Sequence, residues 1–337
     1  MTERQTIVEC RNAWKVFGQN AAEFRENPGP EASSEEFAAH GLIAGVRDVS
    51  LSIHEGETFV IMGLSGSGKS TLLRCMTGLH DLSHGHVLID GTDLATIREK
   101  DLVSLRRKMM SMVFQDFALL PHLTVFGNVE FPLRVQGADK TKRQDAARKM
   151  ISLVGLEGRE RYYPDELSGG QQQRVGIARS LTTDPRIWFL DEPFSALDPL
   201  IRQDMQSELL RLQALLKKTI VFITHDFDEA VRLADRLAIM KDGKIIQLGT
   251  PEDFILNPAD DYVSDFARNI PKEHVLRVQS IMQPKNGDMD GAEVQADAKI
   301  ADVAEAVLSS DGRHPVIDQD GTIVGSVHRR DLIPYVL

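Results

Sequence analysis

Residues 63–70 read Gly-Leu-Ser-Gly-Ser-Gly-Lys-Ser, directly after the short apolar run Thr58–Met62. A G-x-x-x-x-G-K-S spacing between a strand and a helix is that of a phosphate-binding loop. Gly63, Gly66 and Gly68 let backbone N–H groups approach phosphate with no Cβ in the way. A helix expected over Ser70–Thr77 points its N-terminus at the same anion. Lys69 offers a mobile positive charge to the β- and γ-phosphates, and Ser70 offers a hydroxyl to Mg²⁺. Leu64, Ser65, Ser67 and Thr71 complete the expected cradle. A glycine-rich turn can be purely structural, but lysine and serine in register after an apolar run argue for a nucleotide.

Two further apolar runs, Ile187–Leu190 and Ile220–Thr224, each end in polar chemistry. Four to six apolar residues with functional groups at the C-terminal end is the pattern of buried parallel strands. Asp191 is expected to hold Mg²⁺ through water, and Glu192 to polarise the water that attacks the γ-phosphate. Gln115 follows Met112-Val113-Phe114, and His225 follows Thr224. A lone glutamine or histidine at a strand end is usually structural; here their order along the chain favours a shared site. Leu167–Gln171 read Leu-Ser-Gly-Gly-Gln, a glycine-bearing turn into a helix. Ser168 and the N–H groups of Gly169 and Gly170 there offer a second anion site.

Around this α/β core, residues 95–165 are charged and read as an inserted helical subdomain. Residues 19–44, with Pro28, Pro30 and five glutamates, read as a partly ordered surface insertion. A second domain is expected over 271–337. It has an amphipathic helix pattern over 297–308, the strand His314–Ile317, a turn at Asp320-Gly321 and the strand Ile323–Val327. A helix beginning at Arg329 follows.

The chain carries 39 Lys and Arg against 50 Asp and Glu, a net charge of −11, which disfavours nucleic acid as a partner. Cys10 and Cys75 are the only cysteines and have no metal-ligand spacing, so neither a disulfide framework nor a zinc site is expected. The N-terminus lacks a basic segment followed by an apolar stretch, and no apolar run approaches the ~20 residues that span a bilayer. The expectation is a cytoplasmic chain whose membrane work is done by a partner.

The order phosphate loop, Gln115, Leu-Ser-Gly-Gly-Gln, Asp191-Glu192, His225 resembles that of the ABC ATPases. The resemblance implies a P-loop NTPase cassette over residues 1–270 that binds ATP and Mg²⁺. Gln115 would be the Q-loop residue, reaching Mg²⁺ and the attacking water while its loop touches a membrane subunit. His225 would sense the γ-phosphate. Ser195-Ala-Leu-Asp198 would be the D-loop, crossing a dimer interface. Phe17, in Lys15-Val-Phe-Gly18, would stack on adenine, with Trp14 as a competitor. Ser168, Gly169, Gly170 and Gln171 would face the γ-phosphate held by the opposite chain, so two chains make two complete sites. Glu192, His225, Gln115 and Lys69 are then the expected catalytic residues, and Ser70, Gln115 and Asp191 the expected metal residues.

Phe114-Gln-Asp-Phe-Ala-Leu-Leu-Pro-His-Leu-Thr-Val, Tyr163-Pro-Asp-Glu-Leu-Ser-Gly-Gly and Asp191-Glu-Pro-Phe-Ser-Ala-Leu-Asp-Pro-Leu-Ile-Arg narrow the resemblance to quaternary-amine importers. Those handle glycine betaine, proline betaine and choline; methionine and polar amino-acid importers share parts of these stretches. The resemblance implies a second copy of the chain, two integral-membrane permease subunits and an extracytoplasmic solute-binding protein. It also implies a peripheral position on the cytoplasmic face of the inner membrane. Residues 275–337 are similar to a single CBS motif and make a small α+β region for regulation or dimerisation. His328 stands there in place of the usual Ser or Thr three residues before Asp331, which puts an adenosine ligand in doubt. Soluble repair or translation ATPases are the rival class, but they carry coiled coils, zinc motifs or two cassettes in one chain.

Overall fold

A computed structural model describes residues 5–268, 270–285 and 289–336. The chain divides into two compact units, one to Leu248 and one from Gly249.

The first unit is built on the apolar runs. Thr58–Met62 is a strand with all five residues buried, paired in parallel with Thr219–Thr224 on one side and Arg236–Lys241 on the other. Ile187–Asp191 lies in parallel beyond Thr219–Thr224, and Met110–Val113 beyond that. The strand Lys244–Gly249 closes the opposite end of this six-stranded sheet. Burial on both faces explains why these strands read as unbroken apolar runs instead of alternating ones. A four-stranded antiparallel sheet, starting with Thr6–Phe17 paired to Ile43–His54, packs over it. Helix Lys69–Met76 puts Leu72, Leu73 and Met76 into the core shared by both sheets, with Val8, Val46, Phe59, Phe189 and Val221. The sheet and helix starts agree with the sequence to within a residue or two.

Two expectations need correction. Residues 95–165 are not one helical insert: after helix Glu99–Met109 comes Met110–Val113, which is an edge strand of the main sheet. The helices Val125–Val135 and Lys140–Leu153 then pack on each other and on helix Gly169–Leu181. Strand Met110–Val113 is only four residues long, too short to stand out between charged helical segments. Residues 19–44 form a folded cap, not a partly ordered loop. Phe24, Phe37 and Leu42 pack with Trp14 and Val16 into a small core of their own. Ser33 and Glu36 close a capping box on helix Ser34–Ala39. Arg47 lies 5.3 Å over the Phe37 ring and donates to the Ala32 carbonyl. The five glutamates hid two aromatic anchors.

The second unit begins earlier than residue 271. Helices Pro251–Leu256 and Asp261–Ala267 group with it, and Ile255 and Leu256 pack on its core of Leu276, Val278, Ile300, Val316, Val327 and Leu332. Helix Ile300–Leu308 and the antiparallel pair His314–Ile317 and Ile323–Val327 stand where the pattern predicts. The strand Val294–Gln295 adds in parallel to the hairpin. Asp318 Oδ1 accepts from the N–H groups of Asp320 and Thr322, which closes the turn.

Candidate active site

Parallel pairing brings the functional ends of four strands together. Met62 is in register with Thr224, and Asp191 with Ile223, so Gly63, Glu192 and His225 emerge side by side. There Glu192 and His225 line a cleft of about 570 Å³ with Phe17, Leu64, Ser65, Gly66, Gly68, Lys69, Ser70, Thr71 and Gln115. Gly66, at φ +82°, has open space where a Cβ would stand, so its backbone faces the cleft unobstructed. Gly68 is held differently: a Cβ there would lie 2.1 Å from the Gly45 carbonyl oxygen. Gly63 and Ser67 do not line the cleft, and Ser67 is buried.

Lys69 Nζ donates to the carbonyl oxygens of Gly63 at 2.9 Å and Leu64 at 3.0 Å, and lies 3.8 Å from Glu192 Oε1. Burial pulls its pKa below that of a free lysine, while the Glu192 and Asp191 carboxylates oppose the shift. Ser70 Oγ donates to Asp191 Oδ1 at 2.8 Å. Asp191 is buried, and that burial raises its pKa against the opposing Ser70 hydrogen bond. Glu192 has φ +45°, a backbone region that L residues avoid. Its N–H bonds the Ile223 carbonyl at 3.1 Å, and its side chain meets His225. Ser195, of the predicted D-loop, donates its hydroxyl back to the Glu192 carbonyl at 3.0 Å.

Of the predicted aromatics, Phe17 reaches the cleft and Trp14 does not. Trp14 is in the cap's core, 5.0 Å from the Phe24 ring. The remaining predicted residues stand apart within the chain. Ser168 caps helix Gly169–Leu181: its side chain accepts from Gln171 N–H, and Gln171 Oε1 accepts from Ser168 N–H. Ser168, Gly170 and Gln171 line a second depression with Arg159 and Arg174. Asp198 caps helix Pro199–Leu216 through Ile201 N–H at 3.1 Å. None of these lines the Lys69 cleft.

Sequence reasoning missed Ile43 and Gly45, which also line the cleft. Their place follows from the cap: residues 18–42 close a loop that makes Phe17 and Ile43 cross-strand partners. No local signal marks them, because the pairing depends on how the insertion folds.

Comparison with known proteins fits this geometry. Residues 46–195 match the ABC transporter family model. The chain is 51% identical over 328 residues to the trimethylamine N-oxide transport system ATP-binding protein TmoW of Pelagibacter ubique, covering 97% of this chain and 96% of that one. The chain belongs to the ABC transporter ATP-binding proteins. The glycine betaine/proline betaine transport ATP-binding protein ProV of Escherichia coli is 48% identical over 275 residues, 81% of this chain and 69% of its own. The dimeric ATP-binding cassette MJ0796, solved in a post-hydrolysis state with ADP and phosphate, superposes with a TM-score of 0.61 at 32% identity. It covers 73% of this chain and 99% of that cassette. As an ABC ATPase, this chain binds nucleotide and hydrolyses ATP for a transport system. Among the described residues no helix is long and apolar enough to cross a membrane.

Proposed function

We propose that the chain is the ATPase subunit of an importer for small trimethylated amines, with trimethylamine N-oxide as the first candidate solute and glycine betaine as the second. One observation carries the order. The chain matches the two trimethylamine N-oxide proteins at 51% identity over 96–97% of their length, C-terminal unit included. The betaine proteins of Escherichia coli and Bacillus subtilis extend about a third beyond the match. Proline betaine and choline stay behind these two. Uptake of labelled trimethylamine N-oxide by cells carrying the complete system, competed with glycine betaine, choline and methionine, tests the assignment. Preference for methionine would overturn it.

The mechanism follows from the cleft. The adenine ring stacks on Phe17, and the phosphates take the N–H groups of residues 64–71. Lys69 exchanges its two carbonyl partners for phosphate oxygens, a stronger charge-assisted contact. Ser70, Asp191 and Gln115 supply hard oxygen donors of the kind Mg²⁺ prefers, and the 2.8 Å Ser70–Asp191 bond shows two of them already adjacent. When bound, that ion neutralises charge on the phosphates. Glu192 accepts a proton from the attacking water as its oxygen bonds to the γ-phosphorus and the bond to the bridging oxygen breaks. His225, hydrogen-bonded to Glu192, fixes that carboxylate and touches the γ-phosphate.

That neither Ser168 nor Asp198 lines this cleft supports a two-chain site, in which the second copy's Ser168–Gln171 turn covers the γ-phosphate. Arg159 and Arg174 beside that turn suit an anion. Two integral-membrane permease subunits and an extracytoplasmic binding protein complete the importer, with this chain peripheral on the cytoplasmic face of the inner membrane. An apolar groove of about 450 Å³ beside the Gln115 loop, walled by Met110, Phe114, Leu120 and Phe131, suits a short helix of a permease. No partner role for nucleic acid is proposed. The C-terminal unit is assigned to regulation or dimerisation, as a CBS-like module.

A further inference from the structure

We propose that Arg179 is a positioning residue for hydrolysis: its guanidinium holds the loop 115–118 in the shape that directs Gln115 into the nucleotide cleft. The inference rests on the role given to Gln115 above. Gln115 lines the cleft, and two residues on, Phe117 and Ala118 have φ of +59° and +45°. Consecutive left-handed residues that are not glycine are unfavourable and persist only where their surroundings hold them. Arg179 Nη2 donates to the Phe117 carbonyl at 2.9 Å and Nη1 to the Ala118 carbonyl at 2.7 Å. One planar fork thus takes the carbonyls of both strained residues, a task for which a lysine's single ammonium is poorly shaped.

The packing around this contact is close. Helix Gly169–Leu181 carries Arg179, and a Cβ placed on its Gly176 would touch the Phe117 carbonyl at 3.8 Å. Burial lowers the pKa of Arg179 and the Asp116 carboxylate opposes it, yet a guanidinium stays charged at any working pH. Beyond the strained pair the chain is held a second time: the buried Asn128 side chain bonds Leu120 N–H and O, Leu123 O and Thr124 O. The Arg179 helix is also capped by Ser168, so one rigid element places Arg179 about 16 Å along its axis from the Ser168–Gln171 turn and links that turn to the Gln115 loop.

The test uses the assembled transporter, measuring ATP affinity and kcat for Arg179→Leu, Arg179→Lys, Gln115→Ala and the Leu/Ala double variant. Arg179→Leu should lower kcat by about tenfold to a hundredfold with ATP affinity unchanged, since small misplacements of a reacting group are costly. Arg179→Lys should fall between. The double variant should be no worse than the poorer single one, because both changes remove the same function. Ala118→Gly added to Arg179→Leu should restore most of the rate, since glycine adopts the left-handed backbone without a clamp. Should Arg179→Leu not fold, Arg179→Lys with and without Ala118→Gly carries the same contrast. Additive losses, or no recovery with Ala118→Gly, overturn the proposal. A normal Gln115→Ala enzyme defeats the Gln115 reading and this one with it; a slow Gln115→Ala beside a normal Arg179→Leu defeats this one alone.

Discussion

His225 Nδ1 lies 3.1 Å from Glu192 Oε2, across a separation of 33 residues in sequence. The two residues end adjacent parallel strands, and the Glu192 N–H is tied to Ile223 on the neighbouring strand. The carboxylate therefore has one fixed orientation before any nucleotide arrives, which is what a general base needs.

Glu192→Gln keeps the shape and the contact with His225 but cannot take a proton from water. Turnover should fall by about 10²- to 10⁴-fold while ATP still binds. Phosphate release measured beside ATP-dependent dimer formation checks this, with a long-lived ATP-bound dimer expected. A wild-type rate would move the base elsewhere.

Lys69→Ala removes the cation that the phosphates need, so its homodimer should neither bind ATP productively nor turn over. Ser168→Arg should kill its own homodimer by blocking the Ser168–Gln171 turn. A mixed dimer of one chain of each puts both lesions in a single composite site and leaves the other whole. Residual hydrolysis in the mixed dimer alone is expected. Equal rates in all three pairings would remove the two-chain site.

Asp191→Asn should abolish hydrolysis yet raise thermal stability at neutral pH. The raised pKa of Asp191 means that the fold favours the neutral acid over the buried carboxylate. Above that pKa the wild type carries the cost of a buried charge, and the amide does not. A gain of about 1 kcal/mol, or a few degrees in Tm, is the expected scale. It should fade as pH falls through the raised pKa, because both side chains are then neutral. A gain that grows toward acid would reverse the assignment.

Phe17→Ala and Trp14→Ala separate stacking from packing. Loss of a base-stacking ring worth about 1–3 kcal/mol should raise the KM for ATP with kcat nearly unchanged. Trp14, buried against Phe24, should instead lower Tm and leave KM alone. Calorimetry and steady-state kinetics on both variants decide it. The opposite pattern would exchange their roles.

We expect the C-terminal unit to gate uptake by salt through the run His328-Arg329-Arg330, within which Arg329 already pairs with Asp311. Arg330→Gln should therefore shift the salt dependence of uptake into anionic liposomes more than Arg329→Gln does, leaving basal ATPase activity in place. Superimposable uptake curves for both variants and wild type would end the gating idea. Deleting 275–337 is a poorer probe, since it strips Ile255 and Leu256 of the core they pack on.

What the sequence determined by itself was local chemistry with a strict spacing. The loop at 63–70, the acidic pair 191–192 and the buried strands carry their own signals, because close phosphate approach and two-sided burial each demand particular residues in unbroken order. The hairpin at 314–327 was legible from its Asp320-Gly321 turn between two apolar runs. Only the tertiary structure decided what depends on distant segments meeting. Ile43 enters the cleft because the cap folds and pairs it with Phe17. Arg179 grips Phe117 and Ala118 because a helix 61 or 62 residues downstream lies against their loop. Ile255 and Leu256 belong to the second unit because its core is where they can bury. Such contacts leave no periodicity in the chain, since the energy that selects them arises only once both partners are already in place.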